Sequence, residues 1–217
     1  FWRALMQWVG GLGILTFFIA VIRESGGASR RLFSAETHKT DAGSIRPSLT
    51  KSIIDLWKVY GFLTSIIIAT YIWLGMPVFD SFLHAFSAIS TGGFSSKAAS
   101  IGAYGTSIQV ATTFFMFIGG VNFVLLYSLL NTRWRKMYKN SEFRLYSSIF
   151  LLVAAVIALK LRLLSETGVV VKGLFQSAAL VSSTGYSTMS LGVLGLTVQI
   201  FIIAVMFIGG SVGSTAG

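Results

Sequence analysis

The sequence predicts an all-α membrane protein built from repeated units of helix, half-helix, glycine loop and helix. Three observations carry this reading. Hydrophobic residues make up 54% of the 217 positions and charged residues 11%, against about 25% charged in an average soluble domain. Two short stretches read almost alike: Ser90-Thr91-Gly92-Gly93-Phe94-Ser95 and Ser182-Ser183-Thr184-Gly185-Tyr186-Ser187. Each lies between an apolar segment too short to cross a bilayer and one long enough to cross it.

Taken in order, Trp2–Ile22 is a first span, long enough to cross. Arg23–Lys51 is polar and basic, broken by Gly26-Gly27 and Pro47. Trp57–Leu74 spans next, and Gly75-Met76-Pro77 ends it. Val78–Ile89 is apolar but only about a dozen residues, roughly 18 Å of helix, and it leads into the first glycine loop. Ile108–Leu130 spans again, Asn131–Arg144 is a second basic loop, and Leu145–Leu159 is a further span. Val169–Val181 is the second short segment and leads into the second glycine loop. Leu194–Gly210 begins a last span that dissolves into Ser211-Val212-Gly213-Ser214-Thr215-Ala216-Gly217. Because it starts at Phe1 and stops inside a helix-like run, the chain reads as an internal part of something longer.

The repeat has two landmarks. Gly93 and Gly185 stand 92 positions apart, and the double glycines starting at Gly119 and Gly209 stand 90 apart. Two landmarks at nearly one spacing point to duplication. An even number of crossings separates the copies, so they run parallel, as in a pore or a symmetric bundle. The net charge of +10 collects in the two basic loops rather than across a surface, which argues against nucleic acid as a partner and for membrane lipid. Those loops fall on one side, the cytoplasmic one by the positive-inside rule, so the glycine loops open to the outside. The chain has no cysteine, which removes disulfides, thiolate metal sites and cysteine nucleophiles. With no nucleotide loop and no catalytic constellation, it reads as a protein that is not an enzyme and needs no cofactor.

The glycine loops carry the chemistry. Backbone that leaves a helix at membrane depth must be buried in protein or line a watery cavity. A half-helix entering from outside turns its partly negative C-terminus inward, which favours a cation. The loops therefore read as an ion filter formed by Ser90, Thr91, Gly92 and Gly93 with Ser183, Thr184, Gly185 and Tyr186, small residues leaving backbone carbonyls to face the ion. The alternative is a pair of ordinary re-entrant loops between packed helices. Gly209, Gly210, Ser211, Val212, Gly213, Ser214, Thr215, Ala216 and Gly217 make a poor helix interior and read as a gate loop beyond the filter. Gly119-Gly120 and Gly10–Gly13 read as sites of close helix approach. Asn122 either bonds across to another helix or lines the inner cavity, Asp80 is expected to cap its half-helix, and His84 to be a packing residue.

At these residues the chain resembles the Trk/Ktr/HKT superfamily of potassium transporters, most of all the bacterial Trk-type membrane subunit. The resemblance rests on Phe1-Trp2-Arg3, Gln7-Trp8-Val9-Gly10-Gly11-Leu12-Gly13, His84-Ala85-Phe86-Ser87 leading into Ser90–Ser95, and Gly209–Gly217. It implies four helix–pore–helix domains around one pore. On that pattern residues 1–22 are the last helix of the first domain, and 23–50 a cytoplasmic basic loop. Residues 51–131 are the second domain, 132–142 another basic loop, and 143–217 the third domain, cut in its last helix. It implies potassium held at filter backbone carbonyls, uptake through a multi-pass bacterial inner-membrane protein, a homodimer, and a cytoplasmic ring of nucleotide-binding regulatory subunits. It also implies a simpler filter than that of potassium channels. A sodium-permeable transporter of the same architecture is the alternative, and a non-conducting membrane scaffold is the rival of another class.

Overall fold

A computed structural model of the chain describes residues 1–14, 16, 49–130 and 138–216. The far end of the expected first span, nearly all of the first basic loop, residues 131–137 of the second, and Gly217 lie outside the described residues. The described residues form helices and turns, with no strand among them. Residues 2–14 form α1. The first unit follows as α2 (Leu49–Trp73), α3 (Val78–Ile89), α4 (Thr106–Gly119) and α5 (Phe123–Leu130). The second is α6 (Ser141–Leu163), α7 (Val169–Val181) and α8 (Leu196–Met206). A four-residue 3-10 turn precedes α4 (Ser100–Ala103) and another precedes α8 (Leu191–Leu194).

Local chemistry explains the ends. Helix α2 stops at Gly75, whose φ of 86° is left-handed. There Gly75 N donates to the Ile72 carbonyl and Met76 N to that of Tyr71, at 3.0 and 2.9 Å. This is the paired bonding of a Schellman stop. Pro77 then opens α3 with φ −52°. Helix α6 starts at Asn140, whose side chain accepts from Phe143 N at 2.9 Å. It carries Glu142 in its first turn and Lys160 and Arg162 in its last, the arrangement the helix dipole favours. The two half-helices occupy the same residues that the hydrophobic pattern marks out.

Two expected spans are corrected. Ile108–Leu130 is not one helix: α4 and α5 meet at an angle of 108° across a short break. The Asn122 side-chain oxygen accepts from Val124 N at 2.8 Å and starts α5. The glycines at 119 and 120 mark this break as well as a close approach. A Cβ on Gly120 would run into the Tyr146 hydroxyl, and one on Gly119 would come within 3.1 Å of the Ala88 carbonyl oxygen. The last span is also shorter than expected. Helix α8 ends at Met206, before the double glycine. Among the described residues two helices, α2 from Ile53 and α6, are long and apolar enough to cross a membrane, or three spans if α4 and α5 count as one.

Within each unit the long helix lies against its half-helix, α2 on α3 and α6 on α7, and α4 packs on α7 to join the units. The buried core between them holds Tyr60, Tyr71, Phe123, Phe175 and Tyr186. Tyr71 meets Thr112 at 2.9 Å, and Tyr146 of α6 donates to the Phe117 carbonyl of α4 at 3.1 Å. The outward faces are apolar, with Leu151, Leu159 and Phe114 each at least 60% exposed, as suits a lipid solvent. The α6–α7 contact is tight at Gly173, where a Cβ would lie 2.9 Å from the Ala154 carbonyl oxygen and 3.0 Å from Ala158 Cβ. Gly173→Val should therefore separate α6 from α7 at a cost of about 1–3 kcal/mol. Thermal unfolding of the purified protein in detergent would register it, and an unchanged midpoint would contradict the tight packing.

Candidate functional site: the twin turns and the glycine-rich loop

Both half-helices end in the same way. Ser90 and Ser182 turn their hydroxyls back to the carbonyls four residues earlier, Phe86 and Ala178, each at 2.6 Å. The next residues, Thr91 and Ser183, take left-handed φ values of 52° and 57°. After α3, Thr91 N donates to Ala88 O at 3.3 Å and Gly92 N to Ser87 O at 2.7 Å, a Schellman pair with threonine where glycine is usual. After α7, Ser183 N donates to Leu180 O at 3.1 Å and Gly185 N to Ala179 O at 3.0 Å. Gly93 and Gly185 then repeat the left-handed conformation, at 69° and 80°. A β-branched residue at positive φ is an outlier that its surroundings must hold. The sequence pattern named Thr91 and Ser183 among the turn residues but gave no sign of their left-handed backbone.

The turns abut. A Cβ on Gly93 would collide with the Thr184 carbonyl oxygen, whereas one on Gly185 would meet open space. Tyr186 crosses between the units: its ring is buried, and its hydroxyl lies 3.3 Å from the His84 carbonyl and 3.2 Å from that of Phe94. Beyond the turns, Gly102 N donates to the Ser187 carbonyl at 3.1 Å, and Ser187 N to the Ser100 hydroxyl at 3.3 Å. Among the described residues, the carbonyls of Thr91, Gly92, Gly93, Thr184 and Gly185 accept no hydrogen bond. Helix α1 closes one side. Gln7 leaves no room for a side chain on Gly92, its Cγ 2.5 Å from where a Cβ would stand, and the Arg3 guanidinium sits 4.6 Å above the Phe94 ring. Neither contact has a signal in local sequence, because both join segments remote along the chain.

His84 is fully buried and packs, with Nδ1 2.7 Å from the Asp80 carbonyl and Nε2 3.0 Å from the Ser95 hydroxyl. Asp80 is not the expected cap. The capping position is Pro77, and no side chain caps there. One turn in, the Asp80 carboxylate instead accepts from Ser96 at 2.7 Å and Tyr104 at 2.9 Å, with Lys97 Nζ at 3.9 Å. Burial and the Asp80 charge push the Tyr104 phenol up to about 12, so it stays a donor. This cluster ties the segment after the first turn to the start of α3. Among the described residues no group of three or more His, Asp or Glu could hold a metal ion.

The glycine-rich run after α8 folds back on the first unit. Ser211 N donates to the Gly120 carbonyl and Phe123 N to that of Gly213, each at 3.0 Å. The two double-glycine breaks thus bond to each other. Thr215 reaches further, to the end of α3 and the Thr91 side chain. Gly209 and Gly213 have φ of 66° and 77°.

This architecture, a half-helix and strained turn followed by a further helix and present twice, defines an all-helical membrane protein of repeated units. A family model described as "TrkH: Cation transport protein" matches residues 1–164, and the chain belongs to that family. It is 32% identical to the Trk system potassium uptake protein TrkH of Salmonella typhimurium over 225 residues, covering 100% of this chain and 46% of that protein. It is 26% identical to TrkG of Escherichia coli K12, again over 100% of this chain and 46% of the relative. The crystal structure of the potassium transporter TrkH from Vibrio parahaemolyticus superposes with a TM-score of 0.84 at 28% identity, covering 100% of this chain and 45% of that one. The chain therefore spans about half the length of the relatives it matches.

Replacing Asp80 with Ala should free the segment from Ser95 to Tyr104, since two partly buried hydroxyl bonds at a carboxylate are lost, at about 1–3 kcal/mol. Hydrogen exchange would show faster amides there and unchanged ones in α6. Equal protection in both proteins would mean the cluster holds nothing.

Proposed function

We propose that this chain forms part of the conduction path of a potassium uptake transporter, with the twin turns as two elements of its filter. The observation that carries the reading is the matched left-handed turn at the ends of two half-helices, set against each other at Gly93 and Thr184. The carbonyls of Thr91, Gly92, Gly93, Thr184 and Gly185, together with Ser90, Ser183 and Tyr186, replace hydration water around a potassium ion. The partly negative ends of α3 and α7 add to the attraction. Names of the relatives support potassium as the ion. Uptake is driven by membrane potential, about 2.3 kcal/mol per charge per 100 mV.

Gly209–Gly217 acts as the gate, because glycines and small polar residues there can rearrange with small backbone changes. The domain boundaries read from the sequence, the homodimer and the cytoplasmic nucleotide-binding ring belong to the same proposal, as does an inner-membrane location with basic loops inside and filter turns outside. Lys97→Cys should then react with an impermeant thiol reagent on intact cells, and Lys139→Cys only after the membrane is opened. The reverse pattern would invert the topology.

The two filter glycines should differ. Gly93→Ala meets both a forbidden φ and the Thr184 backbone, so selective rubidium uptake by the full-length protein should be abolished. Gly185→Ala meets only the conformational penalty, about 1–2 kcal/mol, and should reduce uptake roughly tenfold. Parental rubidium flux and sodium rejection in both variants would refute the filter. A sodium flux equal to rubidium in the parent would favour the sodium-permeable alternative, and no flux at all the scaffold.

A further inference from the structure

Thr215 joins the glycine-rich loop to the first turn through contacts that span the chain. Its backbone carbonyl accepts from the Thr91 hydroxyl at 2.8 Å, across 124 sequence positions, a proton that Thr91 shares with the adjacent Ser90 carbonyl at 2.8 Å. Its own hydroxyl lies 2.8 Å from the Ile89 carbonyl and 3.0 Å from the Gly119 carbonyl. A hydroxyl has one proton, so these two acceptors share it. Thr215 and Thr91 are both buried, at 9% and 6% exposure.

The acceptors are not arbitrary. Ile89 is the last residue of α3, and helix-terminal carbonyls have no partner within their own helix. The Schellman pair after α3 uses the carbonyls of Ala88 and Ser87 and leaves that of Ile89 to Thr215. Gly119 is the last residue of α4, at the break that the same loop bonds through Ser211 and Gly213. Thr91 is the β-branched residue at φ 52°. Such a conformation persists only where its neighbours over-determine it. The Thr215 carbonyl supplies one restraint on it, and Thr215 also secures the helix end immediately before it.

We infer that Thr215 is a positioning residue for the first turn, holding Thr91 in its left-handed conformation so that the placement of the glycine-rich loop and the choice of ion are linked. The inference rests on the filter and gate readings above. If the loop withdraws, Thr91 loses an acceptor, the Ile89 carbonyl loses its donor, and the turn is free to relax. Opening and selectivity then change together.

The test uses the full-length protein carrying this sequence in liposomes, with the rubidium-to-sodium permeability ratio as readout. Thr215→Val keeps the shape and removes the hydroxyl, and should lower the ratio roughly five-fold, the scale of one hydrogen bond. Thr215→Ser should keep the parental ratio. Thr91→Val together with Thr215→Val should be no worse than the more severe single change, because both act on one turn. An unchanged ratio in Thr215→Val, an equal loss in Thr215→Ser, or strictly additive effects would overturn the linkage. Hydrogen exchange of residues 90–95 in the purified protein reads the positioning without transport. Faster exchange in Thr215→Val and parental exchange in Thr215→Ser support it, and equal exchange in all three proteins overturns it. Absence of rubidium flux in the parent would strike the transport reading instead, and leave the exchange result to decide this one.

Discussion

Backbone groups at membrane depth have no water to turn to, so every place where a helix is interrupted must bring its own partners. This chain interrupts its helices at the ends of α3 and α7, between α4 and α5, and after α8. The end of α7 is closed by its own turn, through Ser182, Ser183 and Gly185, and the other interruptions are bonded by another part of the fold. The break between α4 and α5 and the run after α8 exchange backbone bonds, Ser211 to Gly120 and Phe123 to Gly213. The end of α3 receives the Thr215 hydroxyl. The glycine-rich loop is therefore part of what allows the first unit to contain a turn, and the two units are mechanically one object.

The duplication keeps one frame through the turns and is uneven beyond them. Ser90 and Ser182 make the same bond, and the two turns share their left-handed positions. His84 and Gln176 hold equivalent places on the half-helices, and each reaches the segment beyond its own turn, at Ser95 and Met189. Elsewhere the copies diverge. Asp80 gathers Ser96, Tyr104 and Lys97, whereas its counterpart Lys172 pairs with Glu166 at 2.7 Å. Gly93 is pressed against the neighbouring turn, and Gly185 is not. A duplicated unit that occupies non-equivalent surroundings gains such differences, because each copy must satisfy its own neighbours.

The bounds of the half-helices were legible because they depend on short-range chemistry. Val78–Ile89 is bounded by Pro77 before it and by a small polar turn after it, and hydrophobic length does the rest. The same reasoning failed at Ile108–Leu130. There Gly119-Gly120 and Asn122 interrupt the apolar run but suit a close helix approach as well as a break, and only the Tyr146 hydroxyl crowding Gly120 and the Asn122 cap on α5 show why the chain turns. It failed again at Asp80, whose position near a helix start suggested a cap. The residues that actually use it, Ser96 and Tyr104, arrive from a loop the pattern cannot place.

By itself the sequence determined the membrane class, the repeated unit and the identity of the turn residues, since hydropathy, helix length and glycine spacing are properties of contiguous segments. Only the tertiary structure decided which groups meet. It set Gly93 against Thr184, carried the Tyr186 hydroxyl to the first unit, put Gln7 and Arg3 beside the first turn, and brought Thr215 to Ile89 and Thr91. These contacts join positions far apart along the chain, and the need to satisfy interrupted backbone in a medium without water selects among them only once the helices have packed.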